Sequence, residues 1–352
     1  MISILLASSV SLLIVLVGTP IAIKFLRQRK FGQYIREDGP ESHFPKEGTP
    51  TMGGLVIIGG SILGYLAGHL RSGRGAIFSA SGLLAMGTIV AMGALGFIDD
   101  YLKVTKRRSL GLSKSAKLAG QLVIALAFAA VAGETQASSD VSFIRPLGPV
   151  SLDLGILFMA WVFIIISAAT NGVNLADGLD GLACGSGTLV MGAYVMITFW
   201  QVRHSCDLTS TGGCYDAPHS LDLAMVSASM MGAAAGFLWW NAAPAKIFMG
   251  DTGSFALGGA MGAMAILTNT QLLLIVLGGL YVVEVTSVLV QVAAFRLFNR
   301  RLFLMAPIHH HFELIGWPEF TVIVRFWILA GLSVVFGLGL FYAEFLTHGG
   351  AG

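Results

Sequence analysis

Gly82-Leu-Leu-Ala-Met-Gly-Thr-Ile-Val-Ala-Met-Gly-Ala-Leu-Gly-Phe-Ile98 runs without a charge into Asp99-Asp100. With the residues just before it, the stretch 76–98 holds no Asp, Glu, Lys or Arg. That is long enough for one helix to cross bilayer hydrocarbon, which takes about 20 residues. Comparable runs lie near 2–23, 53–70, 117–134, 154–171, 182–202, 221–240, 253–270, 272–296 and 324–346, giving ten expected spans. Composition agrees: of 352 residues, 55% are hydrophobic and 11% charged, with mean hydropathy +0.79, whereas a soluble protein is about 25% charged. A soluble fold is excluded. The expected architecture is an all-α polytopic membrane protein, one integral-membrane domain over 1–352. The run 2–23 lacks a basic leader and a small-residue cleavage site, and more spans follow it, so it reads as a retained helix. The 45 glycines fit this picture, because small residues in stretches such as 52–60 and 253–264 let membrane helices approach closely.

Charge sets the orientation. With ten spans both termini share a side, and the odd-numbered gaps with their flanks carry 17 of the 21 Lys and Arg. Only Arg71, Arg74, Arg145 and Arg203 fall opposite. By the positive-inside rule the odd gaps are cytoplasmic and both termini periplasmic. A net charge of +2 is too balanced for nucleic-acid binding by bulk electrostatics. Three cysteines make no disulfide framework, but Cys206 and Cys214 share an external gap where they can be joined or stay free. Cys184 reads as packing. The stretch 139–153, with Arg145, Pro146, Gly148 and Pro149, reads as a short external hairpin.

The unusual polar clusters collect on the cytoplasmic side. Asp99-Asp100 closes span three; Asn171-Gly-Val-Asn174-Leu-Ala-Asp177-Gly-Leu-Asp180 follows span five; Asn241 and Phe248-Met-Gly-Asp251-Thr-Gly-Ser254 follow span seven; His309-His310-His311 follows span nine. Lys46 and Gly48-Thr-Pro-Thr51-Met-Gly-Gly54 precede span two. A single acid at a helix end is usually a solvated charge, but five carboxylates set directly against apolar spans suit Mg²⁺, which takes one or two carboxylates plus substrate phosphates. The glycine-rich turns would expose backbone N–H groups to phosphate. Phe248 offers an aromatic platform for a base, and Lys103, with Lys106, Arg107 and Arg108, a site for lipid phosphate or simply a topology signal. Glu284 lies inside span nine, where an acid is costly and has a partner or a function.

Taken in order from about 45 to 315, these motifs resemble the phospho-N-acetylmuramoyl-pentapeptide transferase family of the polyprenyl-phosphate N-acetylhexosamine-1-phosphate transferase superfamily. The resemblance rests on Thr49-Pro-Thr-Met-Gly-Gly, Asp99-Asp-Tyr-Leu-Lys103, the Asn171 to Leu182 block and Pro244-Ala-Lys-Ile-Phe-Met-Gly-Asp-Thr-Gly-Ser254. Ala306-Pro-Ile-His-His-His-Phe-Glu313 points to the muramoyl-pentapeptide branch. It implies transfer of phospho-MurNAc-pentapeptide from UDP-MurNAc-pentapeptide to undecaprenyl phosphate, giving lipid I and UMP, with Mg²⁺, a homodimer and a bacterial inner-membrane location. It also implies roles. Asp251 is the metal ligand, Asp99 the base or orienting group for the lipid phosphate with Asp100 beside it. Lys46, Asp180 and Phe248 form the uracil pocket. Thr51, Asn174, Asp177, Asn241 and Gln291 lie near the nucleoside sugar and diphosphate, and His309, His310 and His311 on the sugar-phosphate side. Direct attack by the lipid phosphate is favoured over a covalent Asp99 intermediate, since positioning and charge suffice for phosphoryl transfer. The rivals are a sister branch using UDP-N-acetylglucosamine, an ion-coupled transporter suggested by Glu284, and a lipid-binding scaffold; the gathering of acids at one face disfavours the last two.

Overall fold

The computed structural model describes residues 1–29, 31–32, 46–70, 78–106, 108, 110–135, 138–145, 153–206, 208, 213–215 and 219–349. Among them the chain forms α1 (Ile2–Gln28), α2 (Gly54–Leu70), α3 (Ala80–Thr105), α4 (Lys114–Ala132), α5 (Phe158–Ala176), α6 (Leu182–Arg203), α7 (Ser220–Asn241), α8 (Gly250–Leu267), α9 (Leu273–Leu277), α10 (Gly279–Phe298), α11 (Ile308–Leu314) and α12 (Glu319–Gly349). No strand is present among the described residues, only isolated bridges. Eight helices are long and apolar enough to cross a membrane; α2 is shorter, and α8 is apolar but enclosed.

Each start has a local cause. Ser79 caps α3 by accepting the Gly82 N–H at 3.0 Å, and Ser113 caps α4 through Ala116 at 3.2 Å. α7 and α8 form the interior: α8 is buried from Asp251 to Leu267 and packs on α3 and α5, while α7 packs on α1, α2 and α6. The outer helices α1, α10 and α12 turn Leu13, Val17, Leu289, Val292, Leu332 and Phe336 outward. An apolar exterior over an equally apolar interior is what lipid solvent permits, since each helix satisfies its own backbone.

Several boundaries differ from the sequence expectation, among them that of α5, which runs on to Ala176 and takes Asn174 into the helix. α3 continues past Asp99 and Asp100 to Thr105, so the two acids sit inside the helix. α8 begins at Gly250, placing Asp251 in its first turn. The ninth expected span is broken at Gly278 into α9 and α10. At the end of the bundle away from these acids, Cys206 and Cys214 are joined in a disulfide. Arg145 donates to the Cys214 and Gly213 carbonyls, both at 2.6 Å, and lies 2.7 Å from Glu344 on α12. Cys184 is buried in packing, its thiol directed at the Ala234 carbonyl. Of the expected hairpin, an Asp140–Asp153 bridge is present; 146–152 lie outside the described residues.

Candidate active site

Asp99 and Asp100 on α3 and Asp251 on α8 are buried, and each offers an oxygen within 4.8 Å of the others. Two lysines hold them together. Lys103, one turn beyond Asp99, places Nζ 2.7 Å from Asp99, 3.1 Å from Asp251 and 3.7 Å from Asp100. Lys117, in the first turn of α4, lies 3.1 Å from Asp99 and 2.5 Å from Asp251. Three carboxylates and two ammonium groups thus share one enclosed volume, where charges interact far more strongly than in water.

The three acids are not equivalent. Asp100 accepts N–H bonds from Asp251 at 3.1 Å and Thr252 at 2.9 Å, and the Thr252 hydroxyl at 2.7 Å. Both its oxygens are therefore spent on the positive end of α8, as a side chain capping a helix from another element. Asp99 accepts the Leu112 N–H at 2.6 Å through one oxygen and turns the other to the lysines. Asp251 receives the Asn174 amide at 3.0 Å, and that amide also reaches Ser254 at 2.9 Å. The oxygens that Asp99 and Asp251 turn to Lys103 and Lys117 can exchange those ammonium groups for a divalent cation, so Asp251 and Asp99 fit Mg²⁺, with Asp100 less available.

The backbone cradle expected of the glycine-rich turns is corrected. Gly53 and Gly54 donate to the Phe248 and Met249 carbonyls at 2.9 Å, and Phe248 donates to Pro50 at 2.8 Å. With the first N–H groups of α8 held by Asp100, those donors are satisfied within the protein. The turn sets Thr51 beside Gly250 at the start of α8, with Phe248 two residues before that start. Gly250 has φ +71°, and a Cβ there would lie 2.5 Å from Asp100 and 3.0 Å from Thr51, so only glycine fits.

Beside this cluster Lys46 reaches Asp180 at 2.8 Å and Glu319 at 2.5 Å; Asp180 also accepts the Ala245 N–H at 2.9 Å. Burial pulls the Lys46 ammonium down, but hydrogen bonds and charge from Asp180 and Glu319 outweigh it and leave its pKa raised. Asp177, just past the end of α5, is pushed well above the usual carboxylate range, first by burial and then by Asp251, Asp100 and Asp180, against a lowering by Lys103. Asn241 is buried and donates to the Ile247 carbonyl at 3.0 Å, bracing the approach to Phe248.

The histidines divide. His309 is fully buried, its Nδ1 3.0 Å from Glu284 on α10, which gives the intramembrane acid its partner. His310 pairs with Glu313 at 2.7 Å, and His311 accepts the Leu304 N–H at 3.2 Å. His309 and His310 both abut Gly178 in the turn between Asp177 and Asp180. Gln291 is engaged with the 302–303 backbone, through bonds of 3.0 Å to Leu302 and Phe303, rather than with the carboxylates. Lys117, Thr252, Ser254 and Glu319 join the site without having been singled out by motif. Thr252 and Ser254 adjoin Asp251 in sequence, and a lysine opening span four was a usable sign, but Glu319 is reached only through the fold.

A buried carboxylate–lysine cluster at one end of an all-helical membrane bundle suits a membrane-embedded transferase, and residues 82–269 match the family described as Glycosyl transferase family 4. Residues 46–58 match phospho-N-acetylmuramoyl-pentapeptide-transferase signature 1. The phospho-N-acetylmuramoyl-pentapeptide-transferase of Frankia alni is 54% identical over 357 residues, 98% of this chain and 99% of its own. Those of Rhodococcus jostii and Streptomyces avermitilis are 50% and 51% identical, over 98% and 97% of each chain. The chain belongs to the phospho-N-acetylmuramoyl-pentapeptide-transferase family, whose members are transferases of peptidoglycan synthesis.

Proposed function

We propose that this chain is a single integral-membrane catalytic domain of the bacterial inner membrane, with ten spans and both termini periplasmic, acting as a homodimer. It transfers phospho-MurNAc-pentapeptide from UDP-MurNAc-pentapeptide to undecaprenyl phosphate, forming lipid I and releasing UMP. The observation that carries this is the Asp99, Asp100 and Asp251 cluster bridged by Lys103 and Lys117, in a chain of this family.

A phosphate oxygen of the lipid attacks the phosphorus bearing the sugar, the bond from that phosphorus to the UMP oxygen breaks, and UMP leaves with the electron pair. Asp99, fixed by Leu112 and facing two lysines, orients the attacking phosphate or takes its proton, and attack is direct, without a covalent intermediate. Lys103 and Lys117 exchange their carboxylate partners for phosphate oxygens as negative charge builds. Asp251, with Asp99, would hold Mg²⁺, which when bound neutralises charge on the diphosphate. Asp100 keeps the start of α8 in place. Lys46 and Asp180 read the uracil edge and Phe248 stacks on it; Thr51, Asn174, Asp177, Asn241 and Gln291 line or brace the nucleoside-diphosphate side, and the histidines stand toward the sugar phosphate.

The test is UMP release by purified protein with undecaprenyl phosphate and Mg²⁺, comparing UDP-MurNAc-pentapeptide with UDP-N-acetylglucosamine. Release from the muramoyl donor alone, lost on chelation, is expected. Release only from the simpler donor would move the chain to the sister branch.

A further inference from the structure

On α10, Glu284, Ser287 and Gln291 recur at i, i+3 and i+7, one face of a helix whose other residues are largely apolar. All three engage the segment that follows. Gln291 bonds the 302–303 backbone, Ser287 accepts the Ile308 N–H at 3.0 Å, and Glu284 meets His309 at 3.0 Å. Serine and glutamine suffice for gripping backbone. A carboxylate with no exposure inside a membrane helix does not follow from that task, because a leucine or glutamine would fill the space at lower cost.

His309 is equally enclosed, and neither of its ring nitrogens makes a hydrogen bond among the described residues: Nδ1 lies 3.0 Å from the Glu284 carboxylate as a close charge contact, and Nε2 is unpaired. A Cβ at Gly178 would lie 2.5 Å from that nitrogen, so Nε2 presses on the turn carrying Asp177 and Asp180. The neighbouring titratable groups are His310, whose ring centre is 4.1 Å away, and through it Glu313. A carboxylate attracts a proton and repels a lone pair, so at 3.0 Å Glu284 favours the proton on Nδ1 and, in a neutral ring, leaves Nε2 as the bare nitrogen.

Resting on the transferase reading above, we propose that Glu284 is a positioning residue for the transfer: it fixes the tautomer and ring plane of His309 from within the membrane, so that Nε2 faces the Asp177–Asp180 turn. Glu284 touches no substrate and acts through His309.

The experiment joins ¹⁵N-histidine NMR with kinetics on the full-length protein, with His309→Gln assigning the signal. In the wild type His309 is expected protonated at Nδ1; Glu284→Leu abolishes that state and Glu284→Gln, which keeps an acceptor oxygen, retains it. Glu284→Leu lowers kcat roughly 10- to 100-fold, the range for losing a carboxylate that orients a working histidine. KM for UDP-MurNAc-pentapeptide stays within about twofold, since Lys46, Asp180 and Phe248 are untouched. In the His309→Gln background Glu284→Leu has no further effect, the signature of two residues acting as one unit. Melting temperature in detergent does not fall. Protonation of wild-type His309 at Nε2, additive kinetic effects, or a kcat loss that tracks a lowered melting temperature would each overturn the proposal. A wild type that released no UMP would count against the transferase reading, while the NMR signal would still decide what Glu284 does to the ring.

Discussion

Asp100 and Asp251 are 151 residues apart in sequence yet joined through one helix start, and their partners separate their roles. Asp100 satisfies orphan donors of α8, so Asp100→Ala is expected to destabilise the protein by about 1–2 kcal/mol, the range for a lost cap, as well as lower activity. Asp251 has no such duty, so Asp251→Asn should lose UMP release by on the order of 10³-fold with little change in melting temperature. Equal melting losses in the two variants would refute this division of labour. Both acids were legible in sequence as acids against apolar spans. Their division was not, because it depends on where α8 begins. Lys46 allows a further prediction. Its pKa is raised by Asp180 and Glu319, so, wherever those carboxylates are ionised, its ion pair is complete below the ordinary lysine value and is lost on the alkaline side only as pH rises through the raised one. Lys46→Met should therefore raise KM for the nucleotide donor several-fold, while the wild-type KM shows no lysine titration between about pH 7 and 9. A wild-type KM that climbed across that window in a way the methionine variant abolished would contradict the assignment.

Among the elements, α8 carries the site because its first turn is wedged against α3. A Cβ on Gly96 would strike the Asp251 carbonyl and the Thr252 amide, whereas one on Gly87, on the same helix, would meet nothing within 4 Å. Gly87→Ala should be neutral or slightly stabilising, since alanine favours helix by about 1 kcal/mol over glycine. Gly96→Ala should displace the α8 start, lowering melting temperature and UMP release together. A Gly96→Ala protein as stable and active as Gly87→Ala would mean that the wedge does not position Asp251. Hydropathy located the helices because lipid demands long apolar runs. It misplaced the ends of α3 and α8 because Asp99, Asp100 and Asp251 read as charges bounding apolar spans, although they are satisfied inside helices by Lys103, Lys117 and the first N–H groups of α8. Nor did it register the break at Gly278, since α9 and α10 are apolar on both sides of it.

At the scale of the whole molecule, the proposed orientation rests on two features at opposite ends of the bundle. The end holding Lys46, Lys103, Lys117 and Lys246 has the excess of positive charge that marks a cytoplasmic side. The opposite end holds the Cys206–Cys214 disulfide, a bond that persists in oxidising compartments. The disulfide was left open by sequence, because neighbouring cysteines need a backbone that brings them together; charge asymmetry alone carried the orientation. With Cys184 buried and the other two cysteines joined, added thiols report without interference. Lys106→Cys, just beyond α3, should react with a membrane-impermeant maleimide only after the inner membrane is opened, and Thr347→Cys, in the last turn of α12, once the periplasm alone is accessible. The reverse pattern would turn the site to the side where a nucleotide-linked donor is not made, and so would overturn orientation and proposed reaction together. Labelling of both in intact spheroplasts would instead imply an even number of spans between Lys106 and Thr347, where spans four to ten are expected, and the enclosed α8 would be the first to reconsider.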